Sequence, residues 1–254
     1  MTRVGVVGAT GKMGREVCRA VAEAPDLELV AAVSRSGAGT SAHDAIGVDA
    51  VVTLADRLDA LVDADAEVLV DFTGPAYAAE HVDWAIEHGL HAVVGTTGFE
   101  LDPTWADAPV GVIVAPNFAI GAVLMLRFVE EAARHFDAAE VIELHHDGKA
   151  DAPSGTALAT ARRIAAARAG TWVAPAGDDA HPGARGADVD GVRVHAVRLP
   201  GLVAHQEVLL GGQGQVLSIR HDAIDRSSFL PGILLAIRTV AGRPGLTVGL
   251  DALL

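Results

Sequence analysis

The sequence predicts an α/β protein with two domains: a parallel sheet wrapped by helices, followed by an α+β domain with a mixed sheet. Up to about residue 117, short β-branched runs alternate with helical patterns, as they do in parallel sheets. Beyond that point, strand-like runs at 192–199, 202–210 and 215–221 follow one another, which is typical of an antiparallel or mixed sheet. The 254 residues, half of them hydrophobic, are enough for two hydrophobic cores.

The first domain is expected to comprise residues 1–117 and 226–254. Its predicted strands lie at 3–8, 27–34, 67–73, 91–97 and 110–116, and its predicted helices at 12–24 and 77–89. The strands are short and rich in valine and isoleucine, as strands buried on both faces are. The run RSSFLPGILLAIRTVAG (226–242) predicts an apolar helix that needs a surface to cover, and we place it on this domain.

The second domain is expected to span residues 118–225. Its predicted elements are a helix over 119–136, a strand over 140–146, a helix over 154–169 and the three strands named above. The glycines of GGQG (211–214) predict a hairpin turn between the last two strands. The prolines and glycines of 172–190 predict a mobile surface loop.

The net charge and the number of cysteines indicate which partners the protein can bind and which cellular compartment it suits. With 19 lysines and arginines against 33 aspartates and glutamates, the net charge of −14 argues against a nucleic-acid binder, because nothing offsets the repulsion from phosphates. Cys18 is the only cysteine, so no disulfide can form within the chain, which fits a reducing compartment. The glycine-rich start shows no export signal, and the apolar run 110–128 is interrupted by Pro116, Asn117 and Arg127. We expect a cytoplasmic protein that binds neither nucleic acid nor membranes.

A glycine-rich turn joins the first strand to the first helix. VGVVGATGKMGREV places Gly8, Gly11 and Gly14 there, where glycine permits a tight turn, close approach to a pyrophosphate and close packing of helix on strand. The N–H groups at the start of the helix would bind that anion. The spacing G-x-x-G-x-x-G departs from the commoner G-x-G-x-x-G, and a purely structural turn is the alternative. We interpret the domain as a Rossmann-like dinucleotide-binding domain.

The residues after the second strand indicate which dinucleotide is bound. An acidic residue there commonly binds the ribose 2′-hydroxyl of NAD, but this chain has Ser34, Arg35 and Ser36. Because arginine attracts the 2′-phosphate that a carboxylate would repel, we expect NADPH to be preferred, with NADH as the second cofactor. The alternative is that Arg35 points into solvent. The loops GTTGF (95–99) and APNF (115–118) follow strands at the same edge of the predicted sheet and are expected to belong to this site.

Titratable groups are concentrated in ELHHDGKADAPSGTA (143–157), directly ahead of a predicted helix. His145 and His146 are consecutive at the end of a strand, so their side chains should point to opposite faces. Lys149 adds a cation after a short turn. One histidine could therefore donate a proton to a substrate while the other supports it or binds elsewhere.

The helix that follows begins at a capping residue. Ser154 is a good N-cap, and the backbone N–H groups of Gly155 and Thr156 then lie in the first turn, where they suit a substrate carboxylate. With the histidines and the lysine, this favours a small acidic substrate that takes up a hydride and a proton. Two alternatives are ordinary polar groups beside a normal helix cap, and a zinc site, which lacks a nearby cysteine and tetrahedral ligand spacing.

The chain resembles the 4-hydroxy-tetrahydrodipicolinate reductases, formerly called dihydrodipicolinate reductases, of diaminopimelate and lysine biosynthesis. The resemblance covers nearly the whole chain and rests on VGATGKMG (7–14), DFTGP (71–75), VGTTGF (94–99), APNFAIG (115–121), ELHHDGKADAPSGTA (143–157) and VHAVRLPGLVAHQEVLLGGQGQVLSIRHDAIDR (194–226). The last three are specific, whereas the first is shared with many nucleotide binders. The resemblance implies NAD(P)H-dependent reduction of 4-hydroxy-tetrahydrodipicolinate to tetrahydrodipicolinate, with hydride transfer to C4 and loss of water.

The resemblance also implies roles for individual residues. His145 and Lys149 would be the proton donors, and His146, Gly155 and Thr156 would bind the substrate. The cofactor-binding positions would be Gly8, Ala9, Thr10, Gly11, Lys12, Met13, Ser34, Arg35, Gly95, Thr96, Thr97, Ala115, Pro116, Asn117 and Phe118. The second domain would bind the substrate and build a homotetramer through its sheet, and no metal is implied.

Two departures from the family pattern bear on these expectations. Asp147 and Gly148 stand where many members carry a further histidine or a bulky residue, which affects the rigidity of the loop. Ser34 replaces the acidic residue often found after the second strand, which argues against strong use of NADH. Two other functions are considered: a related NAD(P)-dependent diamino acid dehydrogenase, and a non-catalytic sensor that binds NADPH. The intact cluster of His145, His146 and Lys149 argues against both.

Overall fold

The structure is a computed structural model that describes residues 1–168, 172 and 180–254. In chain order its elements are β1 (Thr2–Val7), α1 (Lys12–Glu23), β2 (Leu27–Val33), α2 (Ala42–Ile46), α3 (Asp59–Asp63), β3 (Val68–Asp71), α4 (Pro75–Glu87), β4 (His91–Val94), β5 (Gly111–Val114), α5 (Ile120–Ala133), β6 (Ala138–His145), α6 (Gly155–Ala167), β7 (Ala187–Val189), β8 (Val192–Arg198), β9 (Ala204–Gly212), β10 (Gln215–Ala223), α7 (Leu230–Thr239) and β11 (Gly245–Val248). They form two compact units, one from Met1–Ile120 and Arg226–Leu254, the other from Gly121–Asp225.

The first unit is built on a six-stranded sheet in the order β11-β5-β4-β3-β1-β2, and all of its strand pairs are parallel. Val68, Leu69 and Val70 in the centre of the sheet are fully buried, which requires cover on both faces. α4 packs on β3 and β4, while α1 and α7 contact each other and also pack on strands of the sheet. The predicted Rossmann-like parallel sheet is therefore confirmed, and the carboxyl ends of its strands meet at one edge.

Three elements of the first unit were not predicted. β11 adds a sixth strand beside β5, but its four residues are too few to show a period, and glycines with positive φ, Gly245 and Gly249, bound it. α2 and α3 are helices of five residues each, shorter than a sequence pattern can reveal. The predicted helix at 226–242 is helical throughout, but it begins and ends as 3₁₀ turns around α7.

The second unit contains a five-stranded mixed sheet in the order β10-β9-β6-β8-β7. β6 and β8 are parallel, and the other neighbouring strands are antiparallel. α5 and α6 bury one face of this sheet, and the core between them includes Val141, Val194 and Val208. The predicted mixed sheet is confirmed, as is the hairpin turn between β9 and β10, where Gly214 has a φ of 74°.

The predicted loop at 172–190 is partly wrong. Residues 173–179 lie outside the described residues, but Ala187–Val189 form β7, which pairs antiparallel with β8. The two strands are joined by Asp190 and Gly191, whose φ angles are 53° and 87°. An Asp-Gly pair with two positive φ angles is a strong hairpin signal, and the sequence contains it. Within the described residues, no helix is long and apolar enough to cross a membrane.

Candidate active site

The glycine-rich turn lies between β1 and α1 in the first unit. Gly8 has a φ of 84°, and a Cβ there would lie 2.6 Å from the carbonyl oxygen of Phe72, so this position requires glycine. A Cβ at Gly14 would overlap the Gly8 carbonyl, because α1 approaches the turn so closely. α1 begins at Lys12 after Gly11, and its first turn carries no acidic side chain. Its N–H groups are therefore well placed to receive a phosphate.

A cleft of about 770 Å³ opens beside this turn, within the first unit. Five of the predicted cofactor-binding residues line it: Gly8, Thr10, Gly11, Ser34 and Arg35. The Thr10 hydroxyl lies 2.6 Å from the Ser34 hydroxyl and 3.0 Å from the Ser36 hydroxyl, so three hydroxyl groups meet at the end of β2. The size and polarity of the cleft fit a nucleotide. Of the other predicted positions at this turn, Ala9 is buried, and Lys12 and Met13 begin α1.

Two more of the predicted cofactor loops meet at the same edge of the sheet. The Phe72 ring, after β3, lies 6.2 Å from the Phe118 ring, after β5, measured between centroids. A Cβ at Gly95, after β4, would overlap the Phe72 ring, so the loop at 95–97 is in close contact with it. The loops at 95–97 and 115–118 thus lie around one phenylalanine, although neither lines the cleft described above.

A fully buried carboxylate, Asp71, lies beneath these loops and was not singled out from the sequence. It accepts hydrogen bonds from the hydroxyl of Thr96 at 2.5 Å, the hydroxyl of Thr73 at 2.9 Å and the Nδ1 of His81 at 2.6 Å. Burial acts to raise the pKa of Asp71, but the bonds from His81, Thr96 and Thr73 outweigh it and hold the pKa below its usual value. The hydrogen of the Thr96 hydroxyl is therefore used inside the protein, so this side chain could only accept a hydrogen bond from a cofactor.

His145 ends β6 in the second unit, and Glu143 precedes it on the same face of the strand. Glu143 is fully buried, and its carboxylate contacts the Nδ1 of His145. Because a carboxylate only accepts, Nδ1 carries the hydrogen, and Nε2 is the nitrogen left to exchange a proton with a substrate. The Glu143 carboxylate thus fixes the ring so that Nε2 can take up a proton and, once the ring is protonated, donate it.

Arg198 neutralises Glu143 from the neighbouring strand. β8 runs parallel to β6 with Arg198 paired to His145, and the guanidinium makes two bonds to the Glu143 carboxylate, at 2.8 and 2.9 Å. The Arg198 guanidinium also donates to the carbonyl oxygens of Asp151 at 2.5 Å and Lys149 at 3.3 Å. One arginine thus fixes both the buried carboxylate and the loop that carries Lys149.

These charges set the protonation of the site. Burial raises the pKa of Glu143, but bonds from Arg198 and His145 outweigh it, so the pKa lies below its usual value. Burial also lowers the pKa of His145, and the charges of Lys149 and Arg198 act in the same direction, so the opposing effect of Glu143 is overcome. Without a substrate, His145 is therefore more easily deprotonated than an ordinary histidine.

The start of α6 is joined to the same carboxylate. The backbone N–H of Ser154 donates to Glu143 at 3.1 Å, and the Ser154 hydroxyl accepts from the N–H of Ala157 at 3.2 Å, as predicted for an N-cap. Gly155 is exposed, with nothing within 4 Å of a Cβ built on it. The first turn of α6 carries no acidic side chain, so no carboxylate of that turn repels an anion that approaches the N–H groups of Gly155 and Thr156.

Lys149 lies in the turn after β6. Its ammonium group is bonded to Asp151 at 2.7 Å, and its backbone N–H donates to the His146 carbonyl at 3.2 Å. Sequence reasoning thus found the groups of this site that face outward but missed Glu143 and Arg198. The spacing of Glu143 and His145, two apart on a strand, is the signal that could have found the carboxylate. In the described part of the chain, no cluster of three histidine, cysteine or acidic side chains could hold a metal ion.

The sequences of both units match those of known proteins. Residues 2–118 match the family model described as dihydrodipicolinate reductase, N-terminus, and residues 121–254 match the one described as dihydrodipicolinate reductase, C-terminus. The 4-hydroxy-tetrahydrodipicolinate reductase of Nocardia farcinica is 55% identical, over 99% of this chain and 98% of the relative. The enzyme of the same name from Streptomyces griseus is 52% identical, over 98% of this chain and 96% of the relative.

Solved structures show the same likeness. A dipicolinate-bound dihydrodipicolinate reductase from Paenisporosarcina sp. TG-14 matches with a TM-score of 0.88 and 39% identity, and the match covers 100% of both chains. A putative myo-inositol dehydrogenase from Sinorhizobium meliloti matches with a TM-score of 0.64 at 14% identity, which shows a shared fold alone.

Proposed function

The chain belongs to the dihydrodipicolinate reductase family, and from this membership we propose how its residues carry out the reaction. It is an oxidoreductase of diaminopimelate and lysine biosynthesis that reduces 4-hydroxy-tetrahydrodipicolinate to tetrahydrodipicolinate with NAD(P)H. The net reaction adds a hydride and a proton to the substrate and releases its hydroxyl group as water. The protein must therefore bind a dicarboxylate, bind the nucleotide and deliver a proton.

The dicarboxylate is assigned to the groups around the start of α6. One carboxylate accepts from the N–H groups of Gly155 and Thr156, and Lys149 compensates the charge of the substrate once it exchanges its bond to Asp151 for one to the ligand. His146, next to the general acid, is a further substrate contact. The related enzyme from Paenisporosarcina sp. TG-14 was solved with dipicolinate, which is itself a dicarboxylate.

His145 is assigned as the general acid, with Lys149 as the second proton-donating position. The observation that carries this assignment is the buried Glu143, which bonds His145, Arg198 and the backbone N–H of Ser154, the N-cap of α6. His145 has a lowered pKa in the free chain, and the negative charges of a bound dicarboxylate raise it again. Binding of the substrate thus favours uptake of a proton from solvent by the imidazole, which then transfers it to the substrate.

The nucleotide is assigned to the cleft in the first unit. When bound, the reduced nicotinamide supplies the hydride. The pyrophosphate would lie at the N-terminus of α1, beside Gly8 and Gly11. Ser34 and Arg35 stand where a carboxylate would select NADH, so NADPH is the preferred cofactor.

The reaction and the cofactor preference can be tested in one assay, in which an upstream synthase generates the hydroxy-diacid in situ. We expect oxidation of both NADPH and NADH, seen as loss of the reduced nicotinamide absorbance, with the higher kcat/KM for NADPH. Omitting the synthase should abolish the signal. A chain that binds NADPH but oxidises neither cofactor would contradict the function and would favour a different substrate or a sensor, while equal kcat/KM values would contradict the preference alone.

The chain is further proposed to assemble as a homotetramer through the sheet of the second unit. Both helices of the described part of this unit pack on one face. The opposite face carries Ile142, Leu144 and Leu209, which are only partly buried, and Val216, which is 71% exposed. Its charged groups are mutually paired: Glu140 with His195, Glu207 with Arg220, and His205 with Asp222. An apolar face whose polar side chains bond one another is suited to a copy of itself.

Sedimentation velocity measures this assembly. We expect the mass of four chains for the wild type and a smaller mass for Leu209→Asp, because a charge would then be buried in the interface without a partner. Val51→Asp is the matched control, since Val51 is fully exposed in the first unit. A wild type that sediments as a single chain, or a Leu209→Asp variant that keeps the wild-type mass, would exclude this interface.

A further inference from the structure

Arg35 does not extend freely into solvent but lies against Tyr77. One of its terminal nitrogens donates to the Tyr77 hydroxyl at 2.9 Å, and the guanidinium carbon lies 4.8 Å from the centre of the Tyr77 ring. The ring therefore meets the cation with both its face and its hydroxyl. These two contacts restrict a side chain that otherwise has many rotamers.

The position of the Tyr77 ring is itself fixed by a neighbouring side chain of α4. Its ring stacks on that of His81, one turn further along α4, with centroids 6.3 Å apart and an interplanar angle of 18°. His81 is anchored by the hydrogen bond from its Nδ1 to the buried Asp71, at 2.6 Å. A continuous set of contacts thus runs from the interior of the first unit, through two stacked rings, to the guanidinium of Arg35.

This set of contacts opens on the nucleotide cleft, which both arginines, Arg35 and Arg57, line together with Tyr77. Arg57 is ion-paired with Asp59 and Asp63, each at 3.8 Å. Within residues 1–168, 172 and 180–254, by contrast, no carboxylate forms an ion pair with Arg35. The bond to Tyr77 uses one of the five donors of its guanidinium and leaves the others for a phosphate.

We propose that Tyr77 is a specificity-determining residue that holds the Arg35 guanidinium in position for the 2′-phosphate of NADPH. This inference rests on the proposed preference for NADPH and adds the residue that prepares Arg35 for it. A pre-positioned guanidinium binds a phosphate with less loss of freedom than a mobile one. Because NADH lacks the 2′-phosphate, Tyr77 contributes to the binding of NADPH and not to that of NADH.

The test compares kcat/KM for NADPH and for NADH in four variants: Tyr77→Phe, Tyr77→Ala, Arg35→Ala and the double Arg35→Ala/Tyr77→Ala. We expect Arg35→Ala to lower the NADPH/NADH ratio about tenfold to a hundredfold, since it removes charge-assisted bonds to the phosphate. Tyr77→Ala should lower the ratio about fivefold, and Tyr77→Phe, which keeps the ring and loses the hydroxyl, about twofold. The double variant should match Arg35→Ala, because Tyr77 acts only through the arginine.

The possible results distinguish a failure of the role proposed for Tyr77 from a failure of the proposed preference for NADPH. If Arg35→Ala lowers the ratio and the Tyr77 variants do not, the role of Tyr77 is overturned and that of Arg35 stands. If the Tyr77 variants lower kcat/KM for both cofactors equally, Tyr77 supports the adenine or the fold, and the inference also fails. If Arg35→Ala leaves the ratio unchanged, the assignment of Arg35 to the 2′-phosphate fails, and the inference fails with it.

Discussion

The Arg198→Met substitution is expected to destabilise the second unit by about 3 kcal/mol, because it leaves a buried charge without its main partner. Methionine keeps part of the aliphatic stem of Arg198 but removes the guanidinium that bonds the Glu143 carboxylate at 2.8 and 2.9 Å. Glu143 is fully buried in the wild type, so its carboxylate has no direct contact with solvent to offset the loss of those bonds. Amide hydrogen exchange of β6 measures the change, and a loss of this size corresponds to roughly hundredfold faster exchange.

The destabilisation caused by Arg198→Met should depend on pH in a defined direction. In the wild type the pKa of Glu143 is lowered, so its stabilising contribution is present above the pKa of the unfolded chain and is lost as the pH falls through the folded one. In Arg198→Met, burial is no longer outweighed and the folded pKa rises above the unfolded one. The destabilisation relative to the wild type is then largest above that raised pKa and shrinks as the pH falls through it. It is lost only when the pH also falls through the lowered pKa of the wild type. The difference in exchange between variant and wild type should therefore be smaller at mildly acidic pH.

The double variant Glu143→Gln/Arg198→Met is the matched control, because it removes the charge that the single variant leaves stranded. Its β6 amides should exchange more slowly than those of Arg198→Met at neutral pH. If Arg198→Met exchanges like the wild type, or if the double variant is less protected than the single one, the pair of Glu143 and Arg198 does not stabilise this strand.

The parts of the fold that follow from local pattern could be predicted from the sequence. Short β-branched runs alternating with helical periods gave the parallel sheet, and the position of Gly8, Gly11 and Gly14 between a strand and a helix gave the nucleotide turn. Ser154 was predicted as an N-cap, and the structure has its hydroxyl accepting from Ala157. In each case the residues that determine the local structure lie within a few positions of it in the chain.

The features that were missed depend on residues far apart in the chain. Glu143 and Arg198 are 55 residues apart, and they meet because β8 pairs with β6 in parallel, with α6 between them in sequence. Asp71 and Thr96 meet in the same way across β3 and β4. A sequence pattern shows which residues can be buried, but strand register decides which buried carboxylate receives which donor. The outward-facing groups could therefore be predicted from the sequence. The buried groups that hold them in place, such as Glu143 and Asp71, could not.

We expect His145→Ala to lower kcat by about 10²- to 10⁴-fold, the usual contribution of a positioned general acid. The affinity for NADPH should stay close to that of the wild type, because the residues assigned to the nucleotide belong to the first unit and His145 belongs to the second. Steady-state kinetics gives the first quantity, and titration of NADPH fluorescence gives the second. A large loss of NADPH affinity would contradict the division of roles between the two units.

The pH profile identifies the proton donor more directly. The profile of kcat/KM reports the free enzyme, in which the pKa of His145 is lowered, and the profile of kcat reports the complex, in which the substrate carboxylates raise it. Activity that needs protonated His145 should thus fall on the alkaline side at a lower pH in kcat/KM than in kcat. In His145→Ala, both alkaline limbs should be lost along with most of the rate.

The neighbouring substitution His146→Ala is the matched control, since it removes the same ring one position along the chain. It should raise KM more than it lowers kcat, and it should keep both alkaline limbs, because Nδ1 of His145 is still held by Glu143. Lys149→Met, which removes the other proton-donating group, should keep these limbs as well. If His145→Ala retained them and Lys149→Met abolished them, the lysine would be the donor, and the buried carboxylate would then serve to hold the loop and helix that surround it.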